Sequence, residues 1–221
     1  MRIRIVAIAS LALAGCAGGM SKDECLYADW KSVGYEDGAR GAPASAIAPR
    51  RQACASKAGV TLDMDAYLEG RAIGLAQYCT PSNGFAVGAR GQSYSGVCHN
   101  HDEAAFKTEY WDGAHLYKLK SVVQSASGAL RSAERDLEAI HYDIAFTEAA
   151  LIAPETTIVE RIELLADLKH LNDEQYRIEE AMIGLQLAHQ DARRELESYE
   201  WRLASDDRSD GATKTALAIL R

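Results

Sequence analysis

From residue 116 onward, apolar side chains recur at alternating steps of three and four: Leu116, Leu119, Val123, Ala126, Leu130, Ala133, Leu137, Ile140, Ile144, Thr147 and Leu151. That rhythm holds one face of a helix against a partner helix, so it predicts a coiled-coil arm. Pro154 lacks the N–H that a helix interior needs and ends the arm, with Thr156 and Thr157 as turn or cap residues. A second seam runs through Leu171, Gln175, Ile178, Met182, Leu185, His189, Ala192, Leu196, Tyr199 and Leu203. Its forerunners Ile158, Ile162, Leu165 and Leu168 lie one short step out of phase, which predicts a stammer and a locally overwound coil. Two arms around one turn make an antiparallel hairpin, each arm about 75 Å long at 1.5 Å per residue. His189 falls on the seam, where packing or register is the expected role, since no second histidine or cysteine stands at helical spacing from it.

Upstream the pattern is shorter and broken by glycine. Three short helices are predicted at residues 23–41, 44–57 and 63–78, with Asp63 as an N-cap and Gly59 as a stop. Residues 79–98 contain Pro81, Asn83-Gly84, Gly88, Gly91 and Gly96, which predict an irregular loop holding at most two short strands at 85–87 and 93–97. Tyr35-Glu36-Asp37-Gly38, Tyr67-Leu68-Glu69-Gly70 and Tyr110-Trp111-Asp112-Gly113 share an aromatic, an acid and a glycine at the same offsets. Glycine costs a helix interior about 1 kcal/mol relative to alanine, so its recurrence points to helices whose backbones touch. In a second reading Asp37, Glu69 and Asp112 converge as ligands or acid–base groups, although nothing in the sequence brings them together. The fold class is thus mainly α: a small cysteine-containing helical head with a glycine-rich loop, followed by a long coiled-coil hairpin.

The extreme N-terminus adds a location. Arg2 and Arg4 precede an apolar run, Ile5 to Ala14, which is too short for a membrane-spanning helix of about 20 residues. The run ends in Leu13-Ala14-Gly15-Cys16, which resembles the lipobox of bacterial lipoproteins. That resemblance implies cleavage before Cys16 and acylation of Cys16 with chains such as palmitate. Several acyl chains anchor a protein stably, because each buried methylene contributes about 0.8 kcal/mol. Ala17 stands where an aspartate would favour the inner membrane, so the expected position is the inner leaflet of the outer membrane, facing the periplasm. The expected divisions are a signal peptide at 1–15, a lipidated linker at 16–24, the head at 25–119, the hairpin at 120–205 and a flexible tail at 206–221.

Charge narrows the partners. The whole chain carries −8, and removing residues 1–15 takes away two arginines, leaving 22 basic against 32 acidic residues, or −10. Nucleic acid is excluded as a partner, since it demands clustered Lys and Arg. The excess concentrates on the returning arm, where residues 155–210 hold 15 acids against 7 bases.

With Cys16 acylated, Cys25, Cys54, Cys79 and Cys98 remain, an even number in an oxidising compartment. Their spacings of 29, 25 and 19 lack the close Cys pair of a zinc site, so two disulfides are expected and no metal. Of the three connectivities, Cys25 with Cys54 and Cys79 with Cys98 is preferred: the first ties two helices of a hairpin, and the second closes the glycine-rich loop. Inside that loop Arg90, glycine amides and Tyr94 are candidates to hold an anionic group. His99 and His101 ahead of Asp102 and Glu103 suit a helix start better than a metal site.

Asp29-Trp30, Gly34, Asp37-Gly38, Gly41, Arg51, Cys54, Gly59, Tyr67, Gly70-Arg71, Gly74-Leu75, Tyr78-Cys79, Gly84, Gly88, Gly91, Tyr94, Val97-Cys98, Phe106, Tyr110 and Gly113 together resemble the bacterial lipoproteins of the domain of unknown function 2799 family. The resemblance covers about residues 25–119 and departs at His99, where a proline is the expected residue. It implies a lipid-anchored helical domain with a trailing coiled coil, and it implies no catalytic residue or cofactor. Serine-elbow, phosphate-loop and His-Glu-x-x-His patterns are missing, so no enzymatic activity is expected. The expected function is structural or adaptor work through the hairpin, by a protein partner or self-association. The alternative is a ligand-binding or enzymatic head displayed on a helical spacer.

Overall fold

A computed structural model describes residues 20–210, with side chains through residue 205. The expected signal peptide and Cys16 lie outside the described residues, as does the end of the tail. Seven α-helices fill the described part: α1 (Lys22–Tyr27), α2 (Trp30–Ala39), α3 (Ala48–Ala58), α4 (Met64–Tyr78), α5 (Pro81–Ala89), α6 (Glu103–Ile152) and α7 (Ile158–Asp210), with a 3₁₀ turn at Ala44–Ile47. The chain folds as two units. Among the described residues, one holds those up to Thr80 together with Tyr94–Phe106, and the other holds Pro81–Ser93 and those from Lys107 on. This grouping differs from the expected 25–119 and 120–205, because α5 packs with the long helices.

In the first unit the single helix expected at 23–41 is two. Ser21 caps α1 in a reciprocal box with Glu24, and Asp29 accepts from the amides of Lys31 and Ser32 to start α2 afresh. Asp63 caps α4 and Gly59, at φ 66°, ends α3, both as expected. Cys25, Trp30, Ile47, Cys54, Leu62 and Tyr67 form the core. The disulfides are Cys25–Cys54 and Cys79–Cys98, the preferred pairing. In the chain-entropy model loops of these lengths contribute about 3 kcal/mol each. The second bond ties Cys79, where the chain leaves this unit, to Cys98, after it returns.

Helices α2 and α4 touch backbone to backbone. A Cβ on Gly38 would stand 2.3 Å from the carbonyl oxygen of Arg71, and one on Gly74 would stand 2.2 Å from that of Tyr35. The second unit repeats the contact with other residues. A Cβ on Gly88 would stand 2.1 Å from the carbonyl oxygen of Tyr110, and one on Gly113 would stand 2.1 Å from that of Phe85. Gly41 lies under the ring of Tyr78 and Gly91 under that of Tyr117. The chain therefore carries one device twice: Gly34-x-x-x-Gly38-Ala39-Arg40-Gly41 with Gly74-x-x-x-Tyr78, and Gly84-x-x-x-Gly88-Ala89-Arg90-Gly91 with Gly113-x-x-x-Tyr117.

The second copy corrects the glycine-rich loop. Residues 81–89 are helical, and no strand occurs among the described residues, so the strands expected at 85–87 and 93–97 do not form. The glycines that signal a loop in isolation are here the places where α6 comes close.

The long helices pack along the expected seam. Every seam position from Leu116 to Leu151 is buried or half-buried, and Phe85, Leu116, Leu119 and Tyr199 make a buried cluster near one end. The stammer is absent. Inward positions on α7 run Arg161, Leu164, Leu168, Leu171, Gln175 and onward in unbroken steps of three and four, His189 among them. Arg161 sets this phase: its guanidinium donates to the carbonyl oxygens of Leu151, at the end of α6, and of Ala153 (2.9 Å) and Thr156 (3.2 Å) in the turn. Thr157 and Glu160 then cap α7 reciprocally. With Arg161 inward, Ile158, Ile162 and Leu165 turn out to solvent at 79%, 64% and 54% exposure.

Gly74→Ala and Gly128→Ala separate close packing from propensity. Gly128, in α6, has nothing within 4 Å of a built Cβ. Urea denaturation followed by circular dichroism should show Gly74→Ala destabilised by about 3 kcal/mol, the upper range for overpacking, and Gly128→Ala stabilised by roughly 0.5–1 kcal/mol.

Candidate functional site

Asp37 is the most deeply buried acid of the first unit, 1% exposed. It sits on α2 directly before Gly38, so the contact with α4 draws its carboxylate inside. Arg40 donates to Oδ1 at 2.7 Å, Arg50 to Oδ2 at 2.5 Å, and the Tyr67 hydroxyl to Oδ2 at 3.1 Å. Burial pushes its pKa upward, but the hydrogen bonds from Arg50 and Arg40 and the charge of Arg50 outweigh it, leaving the carboxyl below the ordinary aspartate value. The Tyr67 hydroxyl is shifted up by burial and by that same carboxylate. Such a carboxylate has its acceptor sites filled and is a structural hub.

The other candidates have partners of their own. Glu69 pairs with Lys31 on the surface. Tyr94 donates to Glu103 at 2.9 Å, accepts from the amide of Cys98 at 2.8 Å, and stacks on Phe106. Burial pushes its hydroxyl up to about 12, with Glu103 adding to the shift. It latches the returning segment. Arg90 and Asp112 belong to the second unit. Arg90 donates to Gln92 at 3.1 Å, and the backbone of Asp112 accepts from the Tyr199 hydroxyl at 3.0 Å. Of the glycines in the loop expected to hold an anion with Arg90 and Tyr94, Gly84 and Gly88 lie within α5 and the Gly91 amide donates to the Gly88 carbonyl oxygen, while Gly96 lies outside the helix.

The sequence pattern does not single out Arg71 as a site residue. It lies on α4 at the contact with Gly38, is 6% exposed, and its Nη1 is shut off from solvent without a hydrogen-bond partner. It lines a cavity of about 440 Å³ with Leu68, Leu75, Val97, His99 and Asn100. The signal lay in the duplicated device. Gly38 meets the carbonyl of Arg71 where Gly88 meets that of Tyr110, and Asp37 precedes Gly38 where Val87 precedes Gly88. The charges of Asp37 and Arg71 have no counterpart at Val87 and Tyr110.

Among the described residues no group of three or more His, Cys, Asp or Glu side chains could hold a metal ion, and no helix is long and apolar enough to cross a membrane. A family model matches residues 29–115, and its description is protein of unknown function (DUF2799). The matched span takes in both copies of the glycine device except Tyr117. Comparison with curated proteins and with solved structures finds no match.

Breaking the hub should be costly. Asp37→Asn leaves Arg50 without a counter-charge beside a buried site, and a loss of about 3 kcal/mol is expected in denaturant titrations. Because the folded-state pKa is depressed, the carboxylate's contribution is fully present above about pH 4 and fades as pH falls through the lowered value. The acid limb of a stability–pH profile should therefore be shallower in Asp37→Asn than in the wild type.

Proposed function

We propose that this member of the DUF2799 family is a lipid-anchored envelope protein facing the periplasm, and that it works as an adaptor whose hairpin holds a partner helix. One observation carries the reading: the outward stripe of Ile158, Ile162 and Leu165 on α7, spaced four and three and so on one helix face. Large aliphatic side chains repeated on one exposed face mark a contact surface. Val159 and Ile152, also exposed, extend the apolar area at the turn. Glu155, Glu160 and Glu163 line a groove of about 360 Å³ at the same turn. An apolar stripe bordered by carboxylates suits an amphipathic helix with basic flanks, docking as a third strand of the coil.

Two features support the location. Leu13-Ala14-Gly15-Cys16 supplies the acylation signal, and two disulfides suit an oxidising compartment. Ala17 after the cysteine, in place of an aspartate, supports outer-membrane residence.

A photo-crosslinking residue placed at 162 should trap a discrete adduct in growing cells, and one placed at the exposed Lys169 should not. Ile158→Glu together with Ile162→Glu should remove the capture of that partner while leaving thermal unfolding unchanged, since neither side chain is packed. Equal adducts from both probe positions, or none, defeat the adaptor reading. An adduct of twice the chain's own mass would assign the stripe to self-association instead. Labelled palmitate should enter the wild type and not Cys16→Ser.

A further inference from the structure

We infer that the cavity beside Arg71 binds a small organic carboxylate with a short apolar body. Arg71 is only 6% exposed, and its Nη1, shut off from solvent with no acceptor, is expensive to keep. Asp37 does not serve it, since Arg40, Arg50 and Tyr67 take up that carboxylate. Packing does not explain it either. The second copy of the glycine device builds the same backbone contact with Tyr110 in place of Arg71 and Val87 in place of Asp37. The scaffold is therefore made without these charges, and the first copy keeps Arg71 where a cavity opens.

The cavity has the size and character of a ligand site. Its volume of about 440 Å³ falls within the usual range for small molecules, roughly 300–1,000 Å³. Leu68, Leu75 and Val97 supply apolar walls, and Ser95, His99 and Asn100 bring a hydroxyl, an imidazole and an amide. The wall from Tyr94 to Asn100 is fixed in advance by the Cys79–Cys98 bond and by the Cys98 amide donating to Tyr94. A wall already ordered loses little freedom when a ligand enters.

The chemistry selects the ligand class. A guanidinium matches a carboxylate through two parallel N–H donors, and one cation calls for one negative charge. The aliphatic walls ask for a hydrocarbon portion, which inorganic phosphate lacks. The groups at Ser95 and Asn100 provide for one further polar group on the ligand.

Calorimetric titration of the full chain carrying Cys16→Ser, with both disulfides formed, tests this with 4-methylpentanoate, its primary amide and inorganic phosphate. The acid should bind saturably with one site per chain, and the amide and phosphate at least about tenfold more weakly. Arg71→Met should abolish the preference for the acid without lowering the thermal midpoint, because it removes an unpartnered charge. Asn100→Ala, at the exposed rim, should weaken the acid severalfold and leave folding intact. Equal affinity for acid and amide overturns the inference, as does phosphate binding as well as the acid, or full acid affinity in Arg71→Met. If Arg71→Met fails to fold, the acid–amide comparison in the wild type and in Asn100→Ala decides.

Discussion

A carbonyl oxygen of one helix lies in the space where a side chain on the facing helix would begin, and only glycine leaves that space empty. At Gly38 and Gly74, and again at Gly88 and Gly113, an added Cβ would come within about 2.3 Å of that oxygen. Contacts this short bring Cα–H groups against carbonyls and let whole helices pack with little side-chain filling. They also explain how a unit of modest size buries Asp37 and Arg71: when the backbones touch, the residues beside each glycine are drawn inward. The disulfides hold the chain ends around this contact, and the long hairpin begins from its second copy.

How far this was legible in the sequence depended on whether the governing contact was local. The seams of α6 and the later part of α7 announce themselves because each residue's partner is set by helical period alone. The cysteine pairing was reachable because its spacings left few sensible alternatives. Helix α5 was not, since Gly84 and Gly88 carry a loop signature in isolation and a packing signature only once α6 is placed against them. The comparison that would have revealed it is internal: Gly38-Ala39-Arg40-Gly41 matches Gly88-Ala89-Arg90-Gly91, a closer echo than the aromatic–acid–glycine one. The break at Asp29 was visible in principle, since an aspartate three residues before Ser32 is a cap as readily as a surface residue.

Arg161 shows the limit from the other side. By hydrophobicity it belongs outside and Ile162 inside, and the apparent stammer came from that preference. One guanidinium donates to three carbonyl oxygens at the end of α6 and in the turn after it, one of which, on Ala153, also accepts from the Thr156 amide. Satisfying several polar groups at the turn outweighed burying a few aliphatic side chains, so the seam keeps its phase and the apolar residues face out. The sequence contained both demands but not their ranking.

The places where this chain departs from what packing asks are the places to look for work. One departure is Arg71 in the first glycine device, where the second device has Tyr110; the other is the aliphatic stripe turned away from the seam. Each costs stability relative to an available alternative: a tyrosine at one, polar residues at the other. Locally consistent sequences give up such stability chiefly where a ligand or partner returns it. The hub at Asp37 differs in kind, since its hydrogen bonds are complete within the fold and nothing further is needed to account for it. Arg71 and the Ile158–Ile162–Leu165 stripe are incomplete as they stand. That distinction, between a buried charge that is satisfied and one that is not, separates structure from function here more sharply than depth of burial or residue type.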